Sequence, residues 1–436
     1  MAEDLKPNVA VIGAGCAGMA AAAMLASKGF PVTVFEASRQ LGGRARAVSW
    51  KGLSLDNGQH ILLGAYSETL RLLKLANVSL DQALLRLPLQ LQTHGRFALS
   101  ACSVLPAPLH ILAGLLLAKG ITLSERMQAV RFMIWMKLAN FRLQQDEALI
   151  NLLTRNRQSE NLIKLLWEPL CLAALNTPLH CASGQVYLNV LRDSFANSKA
   201  DSDMLLPRRD LSALLAEPLA AYIKNRNGQI RTNSPIVRID PAEHGFNLQT
   251  AAGTDEHFTH VIVAASPFRL PDLVGHLPAL ANTLDLCKRF SYQPIYTVYL
   301  QYPETFKLSS PIIGFAQGYS QWVFDRGILC DQRGLLAVVI SAEGAHQKLT
   351  QEHLAQAVAQ ELSAAFPELQ QPLWHKVVAE KRATFACTPD LPRPITQTAV
   401  SGLYLAGDYT SGDYPATIEG AVRSGVQCAK QIISSQ

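Results

Sequence analysis

The stretch from Asn8 to Glu36, "NVAVIGAGCAGMAAAAMLASKGFPVTVFE", constrains this chain more than any other. A short apolar run, Val9 to Ile12, leads into Gly13, Gly15 and Gly18 at G-x-G-x-x-G spacing, and an alanine-rich helical pattern follows. Gly29 suits the helix C-terminus, and Pro31 opens a second β-branched run that ends in Glu36. Strand, tight turn, helix, strand and acid in that order form the unit of a parallel sheet that binds a dinucleotide. The first glycine allows the turn, the second lets a pyrophosphate approach the backbone, and the third lets helix and strand pack closely. The helix start offers free N–H groups and a positive dipole end to the phosphates. A carboxylate at the end of the second strand accepts both hydroxyls of an adenosine ribose, which favours FAD or NAD over NADP. The residues expected to face the dinucleotide are Gly13, Ala14, Gly15, Ala17, Gly18, Glu36 and Ala37.

A second glycine pair, Leu41-Gly42-Gly43-Arg44, follows within a few residues. It is either an ordinary turn before the strand "RAVSW" or a second loop that closes over the pyrophosphate. At the other end of the chain, "LYLAGD" is a short apolar strand ending in Gly407-Asp408, and "PATIEGAVRSGVQCAKQI" has a helical pattern with small residues on one side. Between them, residues 227–266 alternate like consecutive strands joined by Asn/Gly turns.

Taken together, G-x-G-x-x-G, Glu36 and L-G-G-R resemble the flavin amine oxidase and phytoene desaturase superfamily. The resemblance implies an α/β chain with a discontinuous Rossmann-like FAD-binding domain (1–75, 200–270 and 395–436) and an α+β substrate domain (76–199 and 271–394). It implies FAD as the cofactor, with Gly42, Gly43 and Arg44 near the pyrophosphate and Val237 lining the adenine. Gly407 and Asp408 would meet the ribityl or pyrophosphate part. Thr417 and Ile418 would meet the pyrimidine edge of the flavin, where the positive end of a helix stabilises the anionic reduced ring. Gly58, Gln59 and His60 would lie in a loop beside the flavin. No cysteine or histidine is obviously placed to attach FAD covalently.

Several stretches resemble a narrower group, the hydroxysqualene dehydroxylases. They are "LDNGQHILLGAY" (55–66), "LWEPLCLAALNTP" (166–178), "QWVFDRG" (321–327), "EKRATFACTPDLPRP" (380–394) and "GDYTSGDYPATIEGAVRSG" (407–425). The implied reaction is reductive removal of the allylic hydroxyl of hydroxysqualene to give squalene. Such a reaction needs an acid for the departing hydroxyl, an apolar slot, and no nucleophile near the allylic cation, which aromatic faces can stabilise. His60 is the leading acid candidate, since an imidazole near its reference pKa donates a proton at neutral pH. Its other reading is a histidine that only hydrogen-bonds the cofactor or a backbone carbonyl. Tyr414 is the alternative donor, and Tyr292 and Tyr296 either line the slot or merely pack. Glu168 is expected to cap a helix that starts at Pro169. The rival readings are a carotenoid-type desaturase and a non-catalytic isoprenoid-binding protein of the same fold.

The net charge of +5 is spread along the chain with no basic-aromatic run, so nucleic acid is not an expected partner. None of the eight cysteines forms a C-x-x-C pair, and no metal site is expected. The polar start "MAEDLKPN" does not read as a secretion signal, so a cytoplasmic protein is expected. No charge occurs between Arg96 and Lys119, but Pro106 and Pro108 leave only Leu109 to Ala118 as continuous helix, too short to span a bilayer. Thr122 and Glu125 then have capping-box spacing before a helix mixing Arg126, Arg131 and Lys137 with Met, Phe, Ile and Trp. A buried hairpin would look similar. The expectation here is peripheral contact with the inner face of the cytoplasmic membrane, where an apolar isoprenoid substrate would be collected.

Overall fold

The computed structural model describes residues 7–435, so the polar residues 1–6 at the start of the chain lie outside the described residues. Five parallel strands form the central sheet, in the order Gln229–Arg231, Val32–Phe35, Val9–Ile12, His260–Val263 and Leu403–Leu405. The buried apolar runs of the inner strands, such as Val9–Ile12 and residues 261–263, are explained by cover on both faces. Val9, Val11, Val32, Val34 and Ile262 pack towards the helices Cys16–Ser27, Glu217–Lys224 and Ile418–Ser434. Ala10, Ile12, Phe35, Val261 and Val263 point the other way, into a cluster that includes Phe246, Leu248 and Phe258 of a three-stranded antiparallel sheet. This alternation is the period-2 geometry of a strand.

The alanine-rich helix is buried along most of its length, and small residues let two helices meet across it. A Cβ on Gly425 would overlap the carbonyl oxygen of Ala17, so the first and last helices of the described chain touch backbone to backbone.

A seven-stranded sheet stands apart from this layer, in the order Trp374–Phe385, Tyr292–Gln301, Leu335–Ser341, Trp322–Asp325, Ile312–Gly314, Gln90–Thr93 and Phe97–Ser100. Val298, Leu300, Val338 and Ile340 on its back pack against the helix Gln351–Ala365. Tyr296 turns to that side, 4.8 Å from the His346 ring. A register shift between Gln293 and Ile295 resets the alternation, so Tyr292 packs with the main core instead. The two tyrosines therefore do not line one slot.

The segment Leu109–Leu117 is helical, and Leu123–Leu138 follows with the full capping box between Thr122 and Glu125. Among the described residues no helix is long and apolar enough to cross a membrane. Glu168 does not cap a new helix. It lies inside continuous helix, where the turn Ile163–Trp167 widens so that the Glu168 amide donates to the Ile163 carbonyl. Proline has no N–H and crowds the carbonyl four residues back, and a widened turn relieves both problems. The same device recurs before Pro218, where the turn Ser212–Ala216 widens and the Glu217 amide donates to Ser212.

The close crossing at Gly425 makes a stability prediction. Gly425→Val should destabilise the fold by about 1–3 kcal/mol through overpacking against Ala17, read from urea unfolding followed by circular dichroism.

Candidate functional site

The cradle at the carboxyl end of the first strand is built by backbone proximity. Gly13 has φ +107°, and a Cβ there would stand 2.7 Å from the Ala264 carbonyl oxygen. A Cβ on Gly18 would overlap the Gly13 carbonyl. Gly15 differs: nothing lies within 4 Å of a Cβ at that position, so the loop is open over the helix start. No side chain caps that start, and its first amides face the opening. Glu36 is held at the rim by two amides, Ala14 N–H to Oε2 at 2.8 Å and Ser38 N–H to Oε1 at 2.9 Å. Ala37 beside it is exposed. Gly42 and Gly43 both adopt positive φ, and the Gly42 amide donates to the Ala14 carbonyl at 2.8 Å. The second glycine turn thus docks directly on the first. Val237, 42 % exposed, sits at a register break in the antiparallel sheet, between Ile236 and Arg238.

Arg44 joins this cradle to the C-terminal segment. Its guanidinium donates to Asp408 Oδ1 at 2.8 Å and to the Ala383 carbonyl at 2.7 Å. Burial works against the Arg44 charge, but the Asp408 carboxylate outweighs it and holds the group above its ordinary value. Gly407 is fixed by its amide on Ser424 Oγ at 2.8 Å. Thr417 caps the last helix by accepting the Gly420 amide, which leaves the Ile418 amide at the helix mouth. Glu419 in the same turn is fully buried and accepts the Glu68 and Thr69 amides and the Thr69 hydroxyl.

The loop Asn57–His60 hangs from a buried network. Asp56 Oδ1 accepts the Leu211 amide, and Oδ2 accepts Arg326 Nη1, both at 2.8 Å. The Tyr299 hydroxyl bridges the Asp56 amide and carbonyl. Arg326 Nη1 also donates to Gln59 Oε1 at 2.8 Å. Gln59 Nε2 is buried with no hydrogen-bond partner in the protein. Together with the open Gly15 loop and the anchored Glu36, this unpaired donor fits a flavin dinucleotide, with its polar ribityl and ring-edge atoms, better than a purely structural loop.

His60 is bonded through Nδ1 to the Gly58 carbonyl at 2.5 Å. Burial lowers its pKa, and the Asp56 carboxylate opposes that only in part. The imidazole is therefore neutral at pH 7, with Nδ1–H donating and Nε2 free to accept. This matches the backbone-bonded reading of His60 rather than a cationic proton donor. Tyr292 is half-buried, and burial raises its phenol pKa, with Arg382 opposing. Its ring lies 5.8 Å from the Arg382 guanidinium carbon, and Arg44 and Asp408 act on it electrostatically. Tyr414 belongs to other surroundings. Its ring lies 4.6 Å from the Arg423 guanidinium carbon, and burial followed by the Asp193 carboxylate raises its phenol. Arg44 thus acts on both His60 and Tyr292, and Asp408 on Tyr292, whereas Tyr414 stands at the mouth of the last helix, next to Gly420.

Three charged residues were missed by reasoning from sequence. Arg326 suspends the His60 loop; Arg393 donates to the Gly412 and Tyr414 carbonyls and shapes the turn after Asp408; and Glu380 Oε2 accepts from Asn57 Nδ2 at 3.3 Å. All three lie in the stretches "QWVFDRG" and "EKRATFACTPDLPRP", so a signal was present without a role attached to it.

A small slot of about 20 Å³ lies where the helical part meets the strands Gln90–Thr93 and Phe97–Ser100, lined only by apolar side chains, among them Leu91, Ile111, Leu115, Met133, Trp167 and Phe195. No group of three or more His, Cys, Asp or Glu among the described residues is arranged to hold a metal.

Two outcomes follow from this geometry. Arg326→Gln leaves Asp56 unpaired and buried and should cost about 3–5 kcal/mol in chemical denaturation, with flavin released at lower denaturant. His60 has a folded pKa below its unfolded one, so its contribution is present above pH 6.5 and is lost as pH falls through the usual imidazole range. His60→Gln should therefore lose less stability than the wild type between pH 7.5 and 5.5, measured by thermal melts across that range.

The chain is similar to known proteins over nearly its whole length. It is 28% identical to the hydroxysqualene dehydroxylase of Sinorhizobium fredii, covering 99% of each chain. It is 26% identical to the 15-cis-phytoene desaturase of Glycine max, over 99% of this chain and 80% of the relative. Among solved structures, a putrescine oxidase triple variant superposes with a TM-score of 0.75 at 17% identity, covering 99% of each chain, which shows a shared fold. The family model for flavin containing amine oxidoreductase matches residues 16–433. The chain belongs to the flavin containing amine oxidoreductases, an α/β family of oxidoreductases, and its cofactor is FAD.

Proposed function

We propose that this oxidoreductase is a hydroxysqualene dehydroxylase acting in squalene and hopanoid biosynthesis. The observation that carries the reading is end-to-end similarity to hydroxysqualene dehydroxylases, 28% identical with 99% of both chains covered. In the proposed reaction the allylic C–O bond breaks, the hydroxyl leaves as water with one added proton, and a C–H bond forms at that carbon. Bound reduced FAD supplies the hydride and is oxidised. The protein's own contribution is to position the cofactor, donate the proton and keep water from the cation.

Gly13, Gly15, Gly18 and Glu36 would hold the adenosine and pyrophosphate end, with Ala14, Ala17, Ala37, Gly42, Gly43 and Val237 around it. Arg44, Gly58, Gln59, Asp408 and the Thr417–Ile418 helix mouth would hold the flavin end. Tyr292 would be the proton donor, because its ring stands 5.8 Å from the Arg382 guanidinium carbon, and the Arg382 and Arg44 cations oppose the burial that raises its phenol. His60 in its neutral form would accept a hydrogen bond at Nε2 and orient the substrate hydroxyl. Tyr414 is the alternative donor, less favoured because the Asp193 carboxylate adds to the burial that raises its phenol. The substrate would come from the inner face of the cytoplasmic membrane, to which a cytoplasmic protein associates peripherally.

The second reading, a carotenoid-type desaturase, is favoured by the 26% identity to a phytoene desaturase and would run in the oxidising direction. An anaerobic experiment separates them. Chemically reduced holoenzyme mixed with hydroxysqualene in detergent should yield squalene as the flavin reoxidises. Tyr292→Phe should slow this by about 10²-fold with FAD binding retained. A flavin that stays reduced over untouched hydroxysqualene would overturn the dehydroxylase reading, and new double bonds in phytoene with oxidised enzyme would establish the alternative.

A further inference from the structure

Of the twelve large apolar side chains that stand exposed among the described residues, eight lie between Val104 and Leu138. They are organised by helix geometry. Along Leu123–Leu138 the exposed positions Leu123, Met127, Arg131, Ile134 and Leu138 follow one another at intervals of three or four, a single stripe on the outer face. The inner face of the same helix is also apolar: Ala129, Phe132, Met133 and Met136 are buried. Leu116 and Leu117 extend the outer stripe from the preceding helix, Leu117 being 73 % exposed. A surface helix that is apolar on both faces has a second apolar environment to meet.

The charges around this stripe have one sign. Lys119, Arg131, Lys137 and Arg142 are exposed, and no ion pair among the described residues engages them. The only carboxylate between residues 97 and 142 is Glu125, which is buried and hydrogen-bonded to Thr122, Ser159 and Asn161. The hairpin's own residues therefore present leucines, an isoleucine and a methionine flanked by cations with no exposed carboxylate among them, the exposed Glu160 of the next helix lying near its base. A second copy docked on it about a two-fold axis would bring four cations against four cations. An anionic phospholipid surface meets both features, burying the apolar stripe below the headgroups and pairing the cations with phosphates.

We infer that the outer face of the Leu109–Leu117 and Leu123–Leu138 hairpin is the surface by which the protein docks on anionic bilayers, and that it forms the entrance to the apolar slot. The inner faces of the same two helices supply Ile111, Leu115 and Met133 to the slot. Docking and entry thus share one pair of helices. At about 20 Å³ the slot holds no more than a water, so a long isoprenoid enters only as these walls part. Met133 is the most adaptable of them. The entrance role rests on the apolar-substrate reading above, whereas the docking surface does not.

The test is flotation of FAD-loaded protein with vesicles of phosphatidylcholine alone or with a third of phosphatidylglycerol. The wild type should float with the anionic vesicles and far less with the neutral ones. Leu117→Asp/Ile134→Asp and Arg131→Gln/Lys137→Gln should each weaken flotation by about tenfold or more. Leu373→Asp, at an exposed apolar position elsewhere, should behave as wild type. All variants should keep their flavin absorbance, which shows that they fold. Wild type that fails to float at low salt, or flotation indifferent to both double variants, overturns the proposal. So does a lipid-free dimer in sedimentation that Leu117→Asp/Ile134→Asp dissociates, because the face would then belong to a second copy. No substrate is present in this measurement, so a failed dehydroxylation and a failed docking surface are separate results.

Discussion

The buried ion pair between Asp56 and Arg326 is the interaction on which the site's arrangement turns. Each partner is 1 % exposed, a state no other ion pair among the described residues reaches on both sides. A buried pair seldom adds much net stability, because stripping water from two charges offsets most of their attraction. Its value here lies in the connections it makes. Asp56 ends the hairpin strand that leads to His60 and also accepts the Leu211 amide, while Arg326 follows a strand of the seven-stranded sheet and reaches Ser54 and Gln59. One guanidinium with donors in a fixed fork thus sets the large sheet against the loop beside the cofactor cradle.

The ends of the chain are tied by similar means. Arg44 reaches 364 positions along the chain to Asp408, Arg393 gathers the carbonyls of the turn that follows, and Glu419 accepts amides at the start of the helix Ser67–Leu75. A carboxylate at a helix N-terminus satisfies orphan N–H groups and opposes the helix dipole favourably. The cradle is assembled from segments that are distant in sequence, and at each junction a charged side chain takes up backbone groups that would otherwise be buried unpaired.

Which parts were legible in the sequence follows from the range of the interaction involved. The G-x-G-x-x-G loop, Glu36, the Thr122–Glu125 capping box and the short helix after Pro108 all rest on contacts within a few residues, and each stands where the pattern placed it. Glu168 was misread because proline usually marks a helix start, and only tertiary packing decides that a widened turn carries the helix through. Tyr292 and Tyr296 look equivalent at four-residue spacing on a strand, and a register shift set by the neighbouring strand sends them to different sides. His60 follows Asp56 in a loop, and its charge state depends on burial, which no local pattern reports. The role of Arg326 is hidden for a related reason, since nothing around it in sequence reveals a partner 270 residues away.

The helical hairpin shows how polar groups specify what apolar packing leaves open. Two helices that are apolar on most sides slide over one another with little change in buried area, so leucine and methionine contacts alone give no unique register. The buried carboxylate of Glu125 fixes the second helix against the following segment, residues 158–161. It accepts the Thr122 amide and hydroxyl, the Ser159 hydroxyl and Asn161 Nδ2, and these bonds hold its pKa below the usual carboxylate range despite burial. Next to it, Gln158 takes the Trp167 indole N–H at 2.9 Å and donates to the Gln128 carbonyl. The bonds from Glu125 to Ser159 and Asn161 and from Gln158 to Gln128 are directional, and a displacement of the helix by one turn would break them together. The base of the hairpin is therefore locked while its apolar flanks stay unspecific. That division suits a wall which must keep its place in the fold and still give way to a flexible hydrocarbon.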